Sequence, residues 1–142
     1  MKAREIMTAQ PACCTPNARL SEVAQMMIDN DCGEIPVLDD DASRRLLGVI
    51  TDRDIAVRAV ARGMDVNTTK AGDIMSAPVI TVHRESSLDE CRQKMEQHQV
   101  RRIPVVDDAG GVCGIVAQAD IARLGVMQET AKLVRDVLRP AQ

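Results

Sequence analysis

The sequence predicts an α/β protein in which one small unit is used twice. Two patterns carry that expectation. The first half of the chain aligns on the second, and within each half short apolar runs alternate with stretches of helical periodicity. The composition adds that the chain is long and apolar enough to bury a core: of 142 residues, 45% are hydrophobic and 27% charged, the balance of an ordinary globular protein.

The repeat is direct. Ala3 to Asp40 aligns without a gap on Ala71 to Asp108. Ile6-Met7 falls on Ile74-Met75, Leu20 on Leu88, Glu22 on Glu90, Met27 on Met95 and Ile35-Pro36-Val37 on Ile103-Pro104-Val105. The first copy then carries a slightly longer loop around Ala42 to Arg45. Alignment resumes with Gly48 on Gly114 and Asp54-Ile55-Ala56 on Asp120-Ile121-Ala122.

Each copy shows the same order of elements. A turn of helix (Arg4 to Met7; Asp73 to Met75) leads to a brief strand near Ala12 to Cys14 or Val79 to Val82. An amphipathic helix follows, with Leu20, Val23, Ala24, Met27 and Ile28 on one stripe and Leu88, Cys91 and Met95 on its counterpart. IPVLDD and IPVVDD read as buried strands that end in acidic turns, and LLGVIT and VCGIVA as the strands after them. A second helix starts at Asp52 or Gln118. A final one runs from Val126 to Leu138, with Val126, Thr130, Leu133, Val134, Val137 and Leu138 on its apolar face and Pro140 as its stop. The chain thus divides into a first repeat over 1–62, a polar linker over 63–70, a second repeat over 71–125 and a C-terminal helix and tail over 126–142. Neither copy is expected to stand alone, because about 60 residues without an aromatic ring bury little apolar area.

Composition also excludes. A net charge of −3 and the absence of Phe, Tyr and Trp offer neither a basic surface nor stacking platforms for nucleic acid. The N-terminal MKAREIMTAQPACC has no apolar run long enough for a signal-peptide core or a membrane span, so the expected address is the cytoplasm and no membrane partner is expected. Five cysteines at irregular spacing (Cys13, Cys14, Cys32, Cys91 and Cys113) read as reduced, mostly buried thiols, with Cys13-Cys14 or Cys32 as the candidates for redox chemistry. His83 and His98 lack the spacing of a metal site, the first in a loop and the second at a helix end. Asp39 to Asp41 reads as a solvated acidic turn. No nucleophile–base pair or phosphate-binding loop is present, so the chain is not expected to be an enzyme or to need a cofactor.

GVITDRD, from Gly48 to Asp54, is the most informative local motif. It places the Thr51 hydroxyl and free N–H groups where a strand turns into a helix, a geometry that suits an anion, and Asp54 where a carboxylate can accept from a ribose diol. The same residues suit a plain helix cap, with Thr51 as N-cap and Asp54 at the positive end of the helix. The second copy reads GIVAQAD, so Ala117 replaces the hydroxyl while Asp120 remains. Before the Ile-Pro strands stand Gly33-Glu34 in one copy and Arg101-Arg102 in the other.

A DIM-like turn, an amphipathic helix, an (I/V)PVVD strand and GhhTxxD, all present twice between Met1 and about Gly125, together resemble the cystathionine-β-synthase (CBS) domain pair. The most specific pieces are GVITDRDI (Gly48 to Ile55) and VRRIPVVDD (Val100 to Asp108). The resemblance implies two tandem repeats, each a small three-stranded sheet with two helices, packed with pseudo-two-fold symmetry. It further implies a signal-sensing module whose inter-repeat cleft takes an adenine nucleotide (AMP, ADP or ATP, then S-adenosylmethionine or NAD) and which works as a homodimer or through a protein partner. By position, Thr51 and Asp54 would meet Arg101 and Arg102 around one phosphate, with Cys14, Ile35, Pro36 and Ile50 against the adenine. A weaker second site would use Asp120, Ile103 and Pro104, with Glu34 repelling a phosphate. A ligand-free scaffold and a cysteine redox sensor are the competing expectations.

Overall fold

The computed structural model describes residues 1–138, and these form two sheets flanked by helices. In the first copy, α1 (Ala3–Ile6) and β1 (Thr8–Ala9) precede α2 (Leu20–Asp29), β2 (Glu34–Leu38), β3 (Leu46–Thr51) and α3 (Asp52–Asp54). The last continues as a π-helical run over Ile55–Val60. The second copy runs through α4 (Ala71–Ile74), β4 (Val82–His83), α5 (Leu88–His98), β5 (Arg102–Val106), β6 (Val112–Ala117) and α6 (Gln118–Leu138). This is the α/β unit used twice that the repeat predicts.

Each unit folds around its Ile-Pro hairpin. β2 pairs antiparallel with β3, and β5 with β6, and each pair carries a bulge after its Val. The inward residues of each hairpin meet the apolar stripe of the preceding helix. Leu20, Val23 and Met27 pack on Ile35, Val37 and Ile50 in one core, and Cys91 and Met95 on Ile103, Val105 and Val116 in the other. The brief strand before each helix adds in parallel: Cys14 bridges Val37, and Val82 pairs with Val105.

The two units exchange their leading segments. β1 of the first copy pairs with β6 of the second (Thr8 with Ile115, Ala9 with Gly114), and Ser76 of the second copy bridges Val49 in β3 of the first. The short helices follow: Ala3, Ile6 and Met7 pack in the second core, while Ala71, Ile74 and Met75 pack in the first. Runs that align in sequence therefore sit on opposite units. The linker joins this arrangement. Leu20 and Ser21 N–H donate to the Thr69 and Val66 carbonyls at 3.0 and 2.9 Å, and Leu88 N–H donates to the Met1 carbonyl at 2.9 Å. α2 has no side-chain cap at Arg19, so the linker carbonyls satisfy its free N–H groups.

The exchange explains the motif glycines. A methyl group added at Gly48 would come 2.8 Å from Met75 Sδ and 2.9 Å from the Ser76 carbonyl oxygen, and Gly114 faces Met7 in the same way. Only a residue without Cβ lets the crossing segment lie this close. Gly48→Ala is therefore expected to cost about 1–3 kcal/mol by overpacking against backbone that is already paired. A urea midpoint unchanged from that of the parent protein would refute the interlock.

The C-terminal region departs from expectation in one respect. The second helix of copy two and the C-terminal helix are one 21-residue helix, α6. Gly125 interrupts the pattern without a cap or a proline beside it, and an isolated glycine costs a helix only about 1 kcal/mol. Pro140, the expected stop, lies outside the described residues. Val126, Met127, Leu133, Val134 and Val137 are exposed on the outer part of α6.

Candidate functional site

The strand-to-helix motifs fold as caps first. Thr51 Oγ1 accepts from Asp54 N–H at 3.0 Å, and Thr51 N–H donates to Asp54 Oδ2 at 3.0 Å. The Asp54 carboxylate also accepts from Ser76 Oγ at 3.5 Å and lies 3.7 Å from Arg58 Nε, and its side chain is 14% exposed. In the second copy Ala117 N–H donates to Asp120 Oδ2 at 3.2 Å, with no hydroxyl in return, and Arg123 stands 3.8 Å away. The Asp120 side chain is 26% exposed. The aspartate beside the missing hydroxyl is thus the more available of the two.

A cleft of about 660 Å³ opens beside Asp120, and both copies line it. The exchanged segment supplies Thr8 to Ala12, the first copy supplies Gly33, Glu34 and Asp52, and the second supplies Arg102, Ile115 and Ala117. The exchange is what brings Thr8 to Ala12 here, through the pairing of β1 with β6. Nothing in the sequence of that segment announces a site, apart from the matched Met and Gly motifs that lock the crossing.

Arg101 and Arg102 separate. They are consecutive residues at the entry to β5, so their side chains leave on opposite faces. Arg102 turns into the cleft and lies against Gly33: a methyl group there would meet Arg102 Nη2 at 2.6 Å and Asp52 Oδ2 at 2.9 Å. Arg101 turns outward to a second hollow of about 450 Å³, lined by the end of α5 and the start of α6. The expected clamp of two guanidiniums on one phosphate beside Thr51 and Asp54 is corrected accordingly: Arg102 lines the cleft beside Asp120, Arg101 lines the second hollow, and neither Thr51 nor Asp54 lines either.

The expected adenine walls are corrected too. Cys14, Ile35 and Ile50 are core residues of the first unit, and Ile103 is a core residue of the second. Pro36 and Pro104, on the other faces of their strands, are also fully buried. Cys14 has no backbone group to spare, because its N–H donates to the Pro36 carbonyl at 3.0 Å and its carbonyl accepts from Leu38 N–H at 2.8 Å. Of the expected second-site residues, Asp120 and Glu34 line the cleft, and Ile103 and Pro104 do not.

Glu34 stands at the centre of the site. It is only 5% exposed, and its Oε2 has no hydrogen-bond partner. Burial pushes its carboxyl from an ordinary 4.5 up to about 7; Arg102 pulls against that shift and Asp54 adds to it. The sequence marks this position as the counterpart of an arginine and as a charge that repels a phosphate; its burial and raised pKa come from the fold.

Cys32 is exposed and lines the cleft, whereas the other cysteines and both histidines sit elsewhere or are held inert. Burial raises the thiol pKa of Cys13, Cys91 and Cys113 and pushes Cys14 up to about 12; at Cys13 the nearby Arg44 opposes the rise. A reactive thiolate needs the opposite shift. His83 ends β4, with Nε2 2.6 Å from Asp108 Oδ1 and Nδ1 accepting from Glu85 N–H at 3.1 Å. His98 is exposed at the end of α5. Among the described residues no three His, Cys, Asp or Glu side chains converge on a point where a metal ion could sit.

Comparison with known proteins bears on the same residues. A family model for the CBS domain matches the chain twice, over residues 3–60 and 71–126. Hypoxic response protein 1 of Mycobacterium tuberculosis is 42% identical over 121 residues, which span 85% of this chain and 82% of that protein. A crystal structure of Hypoxic Response Protein I, with two coordinated zinc ions, superposes with a TM-score of 0.78 at 41% identity, covering 87% of this chain and 98% of that one. The CBS domain pair of protein MJ0100, in complex with 5′-methylthioadenosine and S-adenosyl-L-methionine, superposes with a TM-score of 0.80 at 31% identity over 90% of this chain and 98% of its own. The CBS domain protein PAE2072 of Pyrobaculum aerophilum, complexed with AMP, has a TM-score of 0.75 at 28% identity over 84% and 89% of the two chains.

Proposed function

Because the chain belongs to the CBS domain family, we propose that it is a regulatory module that binds an adenosine-containing small molecule in the cleft beside Asp120. The observation that carries this reading is a cleft built by both copies, with an available carboxylate at its rim and a buried, unpartnered carboxyl oxygen in its wall. Asp120 would accept from the ribose hydroxyls, and the Ala12 backbone, beyond the bonded Gln10 N–H and Pro11 carbonyl, would offer groups to the base. A ligand held by both copies favours one relative packing of the two units over others, and that difference is the signal. Adenosine compounds bound by similar CBS pairs support the ligand class. The reading is non-enzymatic, and AMP, ADP, ATP, S-adenosylmethionine and NAD are the compounds to compare.

Thermal shift of the whole chain tests this. A ligand at one hundred times its dissociation constant should stabilise the fold by roughly 2.7 kcal/mol, and Asp120→Ala should weaken binding at least tenfold, beyond the modest loss of unliganded stability that follows from removing its cap on Ala117 N–H. If no adenosine compound shifts melting, the ligand reading is lost. The exposed apolar stripe of α6 then favours a second reading, a module whose purpose is contact with another copy or a partner protein.

A further inference from the structure

The charge pattern of the cleft extends the sequence expectation that Glu34 repels a phosphate beside Asp120. Among the residues lining it, Asp31, Glu34, Asp52 and Asp120 bring carboxylates and Arg102 brings the one guanidinium. Glu34 is the decisive member, because it is buried in the wall between the two copies with Oε2 unpaired. A buried acceptor without a donor costs about 1–3 kcal/mol, and a ligand that supplies a donor or a positive charge removes that cost. A phosphate would add charge of the same sign beside it.

Resting on the adenosine reading above, we propose that Glu34 sets the ligand class of this cleft: it selects adenosyl compounds whose 5′ substituent is uncharged or cationic, a thioether or a sulfonium, over 5′-phosphates. Arg102 and Asp52 both lie against Gly33, so the guanidinium stands in a cleft whose other charged groups are carboxylates. The charged groups that act on Glu34 are Arg102 from β5 and Asp54 from α3, while Asp31, Asp52 and Asp120 line the same cleft. Apart from Arg102, these are acids. As Glu34 ionises, between about pH 6 and 8 given its raised pKa, attraction for a sulfonium should grow and tolerance of a phosphate should fall.

Isothermal titration of the whole chain with 5′-methylthioadenosine, S-adenosylmethionine and AMP, at pH 6 and pH 8, tests the assignment. The wild type should bind the thioether and the sulfonium at least tenfold more tightly than AMP at pH 8, and the sulfonium more tightly at pH 8 than at pH 6. Glu34→Gln should abolish that pH dependence and bring AMP to within about threefold of the thioether. AMP binding to the wild type as tightly as the thioether, with Asp120→Ala weakening both, would overturn the Glu34 assignment and leave the adenosine reading intact. A Glu34→Gln protein that keeps the wild-type order and pH dependence would overturn it as well. Failure of all three compounds to bind the wild type would remove both readings together.

Discussion

Glu34→Gln should stabilise the protein by about 3 kcal/mol at pH 8 and by less than about 1 kcal/mol at pH 5. The folded state raises the Glu34 carboxyl from 4.5 to about 7. Between those values the folded protein holds a proton that the unfolded chain has released, so folding stability falls as pH rises. The stabilisation of the protonated form is fully present below pH 4.5 and is lost as pH passes through 7. A shift of this size corresponds to about 3 kcal/mol in the limit, and at 5% exposure solvent screens little of it. Glutamine imitates the protonated carboxyl in shape and never ionises. Paired urea titrations of the two proteins across pH 5 to 8 isolate the effect, because every other titrating group is common to both. Parallel stability curves would mean that Glu34 ionises freely in the folded protein. A stabilising substitution in the wall of a binding cleft is what a site held at a cost to stability would give.

Removing residues 1–9 should lower the free energy of unfolding by about 4 kcal/mol and the melting midpoint by more than about 10 °C. An ordinary N-terminal extension would be dispensable. Here Ala3 is fully buried in the second core with Ile6 and Met7 packed against it, and β1 closes the edge of β6. Three backbone hydrogen bonds go with them: Ala3 N–H to the Ser86 carbonyl at 2.8 Å, Arg4 N–H to the Arg84 carbonyl at 3.0 Å and Leu88 N–H to the Met1 carbonyl at 2.9 Å. Against a net stability of about 5–15 kcal/mol for a whole domain, this loss is large. It should also be local. In hydrogen exchange the amides of β5 and β6 should lose protection before those of β2 and β3, although the deleted residues belong to the first copy in sequence. Loss of protection in the first unit instead, or no loss at all, would refute the exchange of segments.

The sequence by itself determined the doubled α/β unit, since self-alignment from Ala3 to Asp40 and the periodicities of α2 and α5 depend only on local pattern. It also determined the caps at Thr51 and Asp54, because a capping box joins residues three apart along the chain. The division between Arg101 and Arg102 is a strand alternation and became legible once β5 was known to begin at Arg102. Cys14, Ile35 and Ile50 are apolar whether they face a ligand or a core, so sequence chemistry does not distinguish the two; their depth does. Which unit each leading segment joins was decided by tertiary structure alone. The two copies carry nearly the same hydrophobic pattern, and either sheet edge would accept either segment. Only the close fit of Met7 on Gly114 and Met75 on Gly48, with the linker carbonyls capping α2, distinguishes the arrangements. That choice brings Thr8 to Ala12 beside Asp120, in the cleft whose wall buries Glu34; the sequence puts a phosphate-repelling carboxylate there, and the fold gives its charge a free-energy cost.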